Sequence, residues 1–205
     1  MKLHLGCGNI KLEGFINIDI RETIATDKVQ DCSNLTNFPL NQIEIIYANA
    51  FFEHLNIDQA FKLIKQIEKL LKPDGRLIIT GLPDFERIAK AYLNKEPGIT
   101  RPRFNILEVF RYTHGNPFIP PFTDWHQLHK SLWDIDLIKY LFGFTSLNIY
   151  VFRYFYRTEP IDLNFGIIAV KGILSNFDFE KEIKSLNPDI ENEKFIIWEN
   201  KLFEV

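Results

Sequence analysis

The first twenty residues constrain the fold of this chain most strongly. Two short apolar runs, Lys2–Leu5 and Ile16–Ile20, flank a turn that contains Gly6 and Gly8. Such a turn lets the backbone approach a ligand closely, because glycine has no Cβ and tolerates a positive φ. The second run contains Asp19, and an acid at the tip of a parallel strand can accept both hydroxyls of a ribose. The pattern of strand, glycine turn, strand and acid therefore predicts a site for a nucleoside-containing cofactor.

The spacing of the turn argues against a dinucleotide. A dinucleotide fingerprint requires a third glycine three residues after the second and an acid roughly 20 residues further on. Lys11 occupies the third glycine position, and Asp19 follows too early. A dinucleotide-dependent oxidoreductase is therefore the alternative interpretation rather than the first.

The second part of the chain alternates strands and helices. Glu44–Ala48 is rich in β-branched residues and predicts a buried strand. Apolar residues at helical spacing then predict a helix that Asp58 caps and that runs through Leu71. The segment Pro73–Gly75 predicts a turn into a further strand at Arg76–Gly81. Alternation of this kind is typical of an α/β fold with a parallel sheet.

The order of these motifs resembles that of the class I S-adenosylmethionine-dependent methyltransferases. The Leu-Gly-Cys-Gly turn and Asp19 are followed, over residues 43–85, by strand, Glu-His-Leu, helix, Leu-Lys-Pro-Asp-Gly and strand. The resemblance implies a Rossmann-like, doubly wound, mostly parallel seven-stranded sheet. Ser146–Tyr154 and Phe165–Lys171 are expected to form its antiparallel closing hairpin. It also implies methyl transfer from S-adenosylmethionine to an oxygen or nitrogen of a small-molecule or carbohydrate acceptor, with a non-catalytic interaction module as a further alternative.

The resemblance also assigns residues to the cofactor. They lie in the glycine turn and after the second, third and fourth strands: Gly6, Cys7, Gly8, Asp19, Asp31, Cys32 and Asn49. A third strand is expected at Val29–Cys32, where Asp31 and the backbone of Cys32 match the place that meets the adenine amino group. The other interpretation of Asp31 is a loop residue that caps residues 34–35.

One domain, residues 1–205, is expected, with an insertion after the fifth strand. A helix at about 84–94 is followed by a long stretch without clear periodicity. Long irregular segments in compact domains are commonly lids or binding loops, so we predict that residues 84–130 cover the substrate. In the tail, a helix is expected near 179–185, and the apolar segment 195–198 is expected to dock or pair.

Histidines are the candidates for removing a proton from the acceptor, because their reference pKa lies near neutrality. His54 follows the fourth strand, and His126 and His129 close the insertion, so these three are the predicted catalytic residues. His114 and Asp124 near the latter pair allow a metal interpretation. That set lacks a further ligand at a familiar spacing, so no metal ligands are assigned.

Composition sets the remaining expectations. The net charge of −3 and the absence of a long basic run argue against nucleic acid as substrate. The two cysteines, Cys7 and Cys32, suit a reducing cytoplasm. No signal peptide and no apolar run of about 20 residues is present, so no membrane association is expected. The lid or a second subunit, in a homodimer, is expected to cover the cofactor pocket.

Overall fold

The computed structural model describes residues 1–115, 127–155, 159–173, 178–187 and 196–198. Within these ranges eight strands form one sheet in the order β3-β2-β1-β4-β5-β7-β6-β8. The strands are β1 (Lys2–Leu5), β2 (Ile16–Asp19), β3 (Lys28–Val29), β4 (Ile43–Asn49), β5 (Leu71–Pro83), β6 (Asn148–Tyr154), β7 (Asn164–Val170) and β8 (Ile196–Trp198). Strands β1 to β5 are parallel, whereas β7 and β6 run antiparallel to their neighbours. The predicted Rossmann-like sheet with a closing hairpin is confirmed, and the tail segment β8 extends it beside β6.

Helices cover both faces of the sheet. The described helices are α1 (Ile57–Leu70), α2 (Phe85–Asn94), α3 (Ile106–His114), α4 (Ile135–Phe142) and α5 (Phe179–Leu186), with a 3₁₀ turn at Phe52–His54. Buried residues of α1 and α4 pack with one face of the sheet, and those of α5 pack with the other. None of the helices in the described ranges is long and apolar enough to cross a bilayer.

No helix separates β1 from β2, as the short spacing of these strands predicts. Residues 6–15 form turns, and the Asn17 side chain ties them to the sheet by accepting from Leu12 N–H at 3.0 Å. The turn is therefore built without a helix N-terminus, and within it Gly8 N–H donates to the Asp19 carboxylate at 2.9 Å.

Several predicted boundaries were wrong. The predicted turn at Pro73–Gly75 lies inside β5, which begins at Leu71 rather than at Arg76 and has an irregular register there. Strand β3 ends at Val29 rather than at Cys32, because the Asp31 carboxylate accepts from Ser33 N–H at 2.8 Å and turns the chain away from the sheet. Asn56, not Asp58, caps α1, since its side chain accepts from Gln59 N–H at 2.9 Å while the Gln59 side chain accepts from Asn56 N–H at 3.1 Å. Reciprocal bonds of this kind form a capping box.

The insertion after β5 contains more regular structure than the sequence suggests. Helix α2, capped by Asp84, is confirmed, and α3 follows it where no helix was predicted. Residues of both helices form a small apolar cluster with Ile161 and Leu163. The Asp84 carboxylate also pairs with Arg153 on β6 at 2.6 Å, which fastens the start of the insertion to the sheet.

Candidate active site

A cavity of about 630 Å³ lies at the carboxyl ends of β1, β2 and β4. Ligands of open α/β sheets bind at this edge, and the volume falls within the roughly 300–1,000 Å³ of small-molecule sites. All seven residues predicted to bind the cofactor border the cavity, as does His54. The sequence therefore identified the residues that meet here, and their cofactor contacts stay predictions.

The glycine turn forms one wall of the cavity. Gly6 has φ +64°, and a Cβ on it would lie 2.8 Å from the Phe51 ring, so no other residue fits without displacing that ring. Gly8 has φ +53° and open space where a Cβ would lie. The turn thus exposes backbone to the cavity, and this open surface fits a closely approaching cofactor.

Asp19 holds this turn in place. One carboxylate oxygen accepts from Gly8 N–H at 2.9 Å, and the other accepts from Arg21 N–H at 2.9 Å and from the Arg21 Nε at 3.3 Å. Burial acts to raise the pKa of Asp19, but the Arg21 and Gly8 amides outweigh it and bring the pKa below its ordinary value. Asp19 is therefore ionised at neutral pH, and both of its carboxylate oxygens act only as hydrogen-bond acceptors.

Asp31 and Cys32 lie where the chain leaves β3. Asp31 is exposed and borders the cavity, and its carboxylate accepts from Ser33 N–H rather than from residues 34–35. Its contact with the adenine stays a prediction. Cys32 is buried, and burial raises the pKa of its thiol to about 12. Burial also raises the pKa of the Cys7 thiol. Both thiols are neutral at physiological pH, so neither is a nucleophile.

Sequence reasoning missed the contribution of α5. Leu186 and Asn187, at the end of this helix, border the cavity, and the Asn187 amide donates to Asn49 Oδ1 at 3.1 Å. The same Asn49 oxygen accepts from Thr80 Oγ1 at 2.9 Å. The amphipathic pattern predicts the helix itself, but a contact between residues 49 and 187 has no local signal.

The predicted catalytic residues are partly brought together. The rings of His54 and His129 meet edge to face with centroids 5.0 Å apart, and Glu53 Oε1 lies 3.8 Å from His54 Nε2. His126 lies outside the described residues. Gln127 and Lys130, which sequence reasoning did not single out, border the same cavity.

Burial is the main influence on the pKa values of Glu53, His54 and His129. It lowers the pKa of His54 to about 4, with a further contribution from His129, and it also lowers the pKa of His129. Burial raises the pKa of Glu53 to about 8. Both imidazoles are therefore neutral at pH 7, each with one nitrogen able to accept a proton or a ligand.

Comparison with known proteins supports the assignment of the fold. Residues 15–79 of the 205 match the family model of the methyltransferase domain. No curated protein matches the chain.

Solved structures share the fold at low sequence identity. An S-adenosylmethionine-dependent methyltransferase from Methanosarcina mazei is 18% identical with a TM-score of 0.52, over 84% of this chain and 92% of that one. One from Archaeoglobus fulgidus is 14% identical with a TM-score of 0.53, over 83% and 85%. One from Clostridium acetobutylicum is 13% identical with a TM-score of 0.53, over 84% of each chain.

The domain match covers β2 to β4 and most of β5, and the cavity edge carries the glycine turn and Asp19. These findings favour methyl transfer over the dinucleotide-dependent alternative. The chain thus contains a segment, residues 15–79, that matches the methyltransferase domain, and it shares the fold of solved S-adenosylmethionine-dependent methyltransferases.

Proposed function

We propose that the chain methylates a hydroxyl or amine of a small-molecule or glycan acceptor. The observation that carries this proposal is the continuity of one cavity. The same space borders Gly8 and Asp19 on one side and His54, Gln127 and Lys130 on the other. A cofactor and an acceptor that share this space would lie next to each other, and positioning two reactants contributes up to roughly 7–11 kcal/mol to a reaction.

We assign the cofactor to the wall formed by the turn and the strand ends. The Gly6–Gly8 backbone and the Asp19 carboxylate would hold its polar groups, Asp31 and Cys32 would meet the adenine, and Asn49 would lie beside the amino acid portion. Bound S-adenosylmethionine supplies an electrophilic methyl group on its sulfonium. The protein's task is then to orient the acceptor and to exclude water from the reacting atoms.

We assign acceptance of the acceptor's proton to His54, which borders the cavity, and positioning of the His54 ring to His129, which does not border it. Their Nδ1 atoms lie 3.3 Å from the Leu128 carbonyl and 2.8 Å from the Tyr112 carbonyl. A carbonyl oxygen can only accept, so Nδ1 carries the hydrogen and Nε2 has the free lone pair. General base catalysis of this kind contributes about 10²–10⁴-fold to a rate.

A polar acceptor is favoured by the side chains next to His54. Gln59, Gln127 and Lys130 border the cavity and offer hydrogen-bond donors and acceptors that suit hydroxylated or charged small molecules. Gln127 and Lys130 belong to segment 84–130, which we propose as the acceptor cover. Helices α2 and α3 would support that cover from behind, since no residue of either borders the cavity.

The proposal is tested by turnover. The purified chain is incubated with S-adenosylmethionine and pools of sugars, sugar phosphates, phenols and amines, and S-adenosylhomocysteine formation is followed. Mass spectrometry then locates the added methyl group on oxygen or nitrogen. We expect one pool to be methylated, and His54→Gln to slow turnover by at least tenfold without changing the Kd of the cofactor. Cofactor binding without turnover in any pool would instead support the non-catalytic module.

A further inference from the structure

Three ligand-type side chains from distant parts of the sequence meet beside the cavity. Glu53 and His54 belong to the 3₁₀ turn after β4, and His129 belongs to the segment that closes the insertion. One nitrogen or oxygen atom of each lies within 4.8 Å of those of the other two. We refer to Glu53, His54 and His129 as the EHH cluster.

Backbone hydrogen bonds hold the EHH cluster together. The Glu53 carbonyl accepts from Lys130 N–H at 2.7 Å and from Ser131 N–H at 3.3 Å, and His129 N–H donates to the His114 carbonyl at 3.4 Å. The turn after β4, the end of α3 and the segment from 127 are therefore joined at this point. The proximity of the three side chains is a consequence of the fold rather than of flexible surface groups.

Both histidines are oriented as metal-bound histidines usually are. Each directs Nδ1 to a main-chain carbonyl, that of Leu128 for His54 and that of Tyr112 for His129. Metal-ligating histidines commonly donate their second N–H to a carbonyl or carboxylate, which fixes the ring and the tautomer. The arrangement leaves the Nε2 lone pair of each neutral imidazole for a ligand.

Glu53 supplies an independent observation. Its side chain is buried, and its Oε2 atom has no hydrogen-bond partner among the described residues. Buried carboxylates are normally paired or bound to metal, because burying the charge alone is unfavourable. The turn therefore places an acid with unused coordinating capacity next to two imidazole nitrogens.

We propose that the EHH cluster binds one divalent transition-metal ion. Two imidazoles and a carboxylate suit Zn²⁺, Fe²⁺ or Co²⁺, whereas Mg²⁺ prefers an all-oxygen shell. Metal bonds of about 2.0–2.2 Å place the ligand atoms of one ion roughly 3.4 Å apart, so small rotations of the side chains close the site. The neighbouring Lys130 is exposed, and solvent screens its charge from the ion.

Because His54 borders the cavity, the ion would face the acceptor. It would occupy the lone pairs that accept a proton in the metal-free chain and would lower the pKa of a bound hydroxyl or water instead. This catalytic consequence rests on the proposed function. Binding of the ion does not, so it is tested without cofactor or acceptor.

The test is calorimetric titration of the full chain, stripped with a chelator, with Zn²⁺ and separately with Co²⁺ and Mg²⁺. We expect one equivalent of Zn²⁺ and of Co²⁺ to bind with micromolar or lower Kd, and Mg²⁺ to bind at least 100-fold more weakly. Co²⁺ should show visible absorption bands of a site with nitrogen ligands. Absence of saturable Zn²⁺ and Co²⁺ binding in the micromolar range would overturn the proposal, as would equally tight binding of Mg²⁺.

Variants locate the site. Glu53→Gln and, separately, His129→Gln should each raise the Kd for Zn²⁺ at least tenfold. Glu108→Gln is the matched control, since Glu108 is also fully buried with an unpartnered oxygen but lies outside the cluster. Thermal unfolding verifies that each variant folds. If Glu53→Gln does not fold, His129→Gln alone tests the site. Unchanged Zn²⁺ affinity in both folded cluster variants would place the metal elsewhere and contradict the proposal.

Discussion

At the scale of single residues, Asp19 has both a structural role and a proposed role in cofactor binding. It fixes the glycine turn through Gly8 and Arg21, and we propose that it accepts the ribose hydroxyls. Asp19→Ala is expected to weaken S-adenosylmethionine binding at least tenfold in calorimetry. Glu22→Ala, which removes an exposed acid three residues away, should leave the Kd unchanged. Equal affinity of both variants would refute the assignment of the ribose contact.

Asp27 gives the turn region a dependence on pH. Its carboxylate accepts from Lys11 Nζ at 2.8 Å, from Asn17 Nδ2 at 2.8 Å and from Asn17 N–H at 3.0 Å, and these bonds hold the pKa of Asp27 well below its ordinary value. The contribution to stability is thus complete above the unfolded-state pKa of about 3.9 and is lost as the pH falls towards the folded-state pKa.

Asp27→Asn is therefore expected to lower the free energy of unfolding at pH 6 and to have a diminishing effect as the pH falls from about 5 to 2. Urea unfolding midpoints across this range measure the difference. If the difference in unfolding midpoint between the wild-type chain and the variant stayed constant with pH, the charge of the Asp27 carboxylate would not contribute to stability.

At the scale of elements, the sequence and the structure assign different capping residues to the N-terminus of α1. Asn56→Ala removes the capping box and should lower the free energy of unfolding by about 1 kcal/mol. Asp58→Ala, at the residue the sequence suggested as cap, should have a smaller effect, because Asp58 only pairs with exposed Lys62 at 2.7 Å. Chemical denaturation compares the two, and a larger loss for Asp58→Ala would contradict the cap assigned here.

Local sequence patterns predicted the elements whose conformation depends on residues close together in the sequence. The glycine turn, the buried run of β4 and the apolar periodicity of α1 each predict their own conformation, and the structure contains all of them. Helix α3 was missed, because its signal is short and follows a stretch rich in glycine and proline. Strand β3 was drawn too long, since the Asp31 side chain ends it through a bond that apolar patterning does not encode.

Contacts between residues far apart in the sequence were not predicted. His54 and His129 were each proposed from their residue type, but their meeting with Glu53 follows from the pairing of segment 127–131 with the turn after β4. The contact of Asn187 with Asn49 likewise depends on where α5 crosses the sheet. Sequence spacing carries no information on such approaches, which only the assembled fold creates.

At the scale of the whole molecule, the last described helix supports the cavity formed by the first strands, which we propose as the cofactor site. Glu182 on α5 accepts from Arg76 Nε on β5 at 2.6 Å and forms a second, bidentate contact with the same guanidinium. Ile183 is buried in the apolar cluster of that face. This anchoring brings Leu186 and Asn187 to the cavity.

Glu182→Gln is therefore expected to raise the Kd for S-adenosylmethionine about threefold to tenfold, or roughly 0.7–1.4 kcal/mol, although Glu182 does not border the cavity. Glu180→Gln, which affects a pair with Lys184 within the same helix, should not change the Kd. Calorimetry with each variant measures this, and identical Kd values for Glu182→Gln and the wild-type chain would mean that the position of α5 does not matter to the site.

The most direct measurement is calorimetric titration of the wild-type chain with S-adenosylmethionine, S-adenosylhomocysteine and NAD under one set of conditions. The cavity, with its two-glycine turn and early acid, predicts binding of the first two at micromolar Kd and no measurable binding of NAD. Binding of NAD alone would contradict the cofactor assignment and favour the dinucleotide-dependent interpretation. Binding of none of the three would contradict a functional cofactor site in this chain.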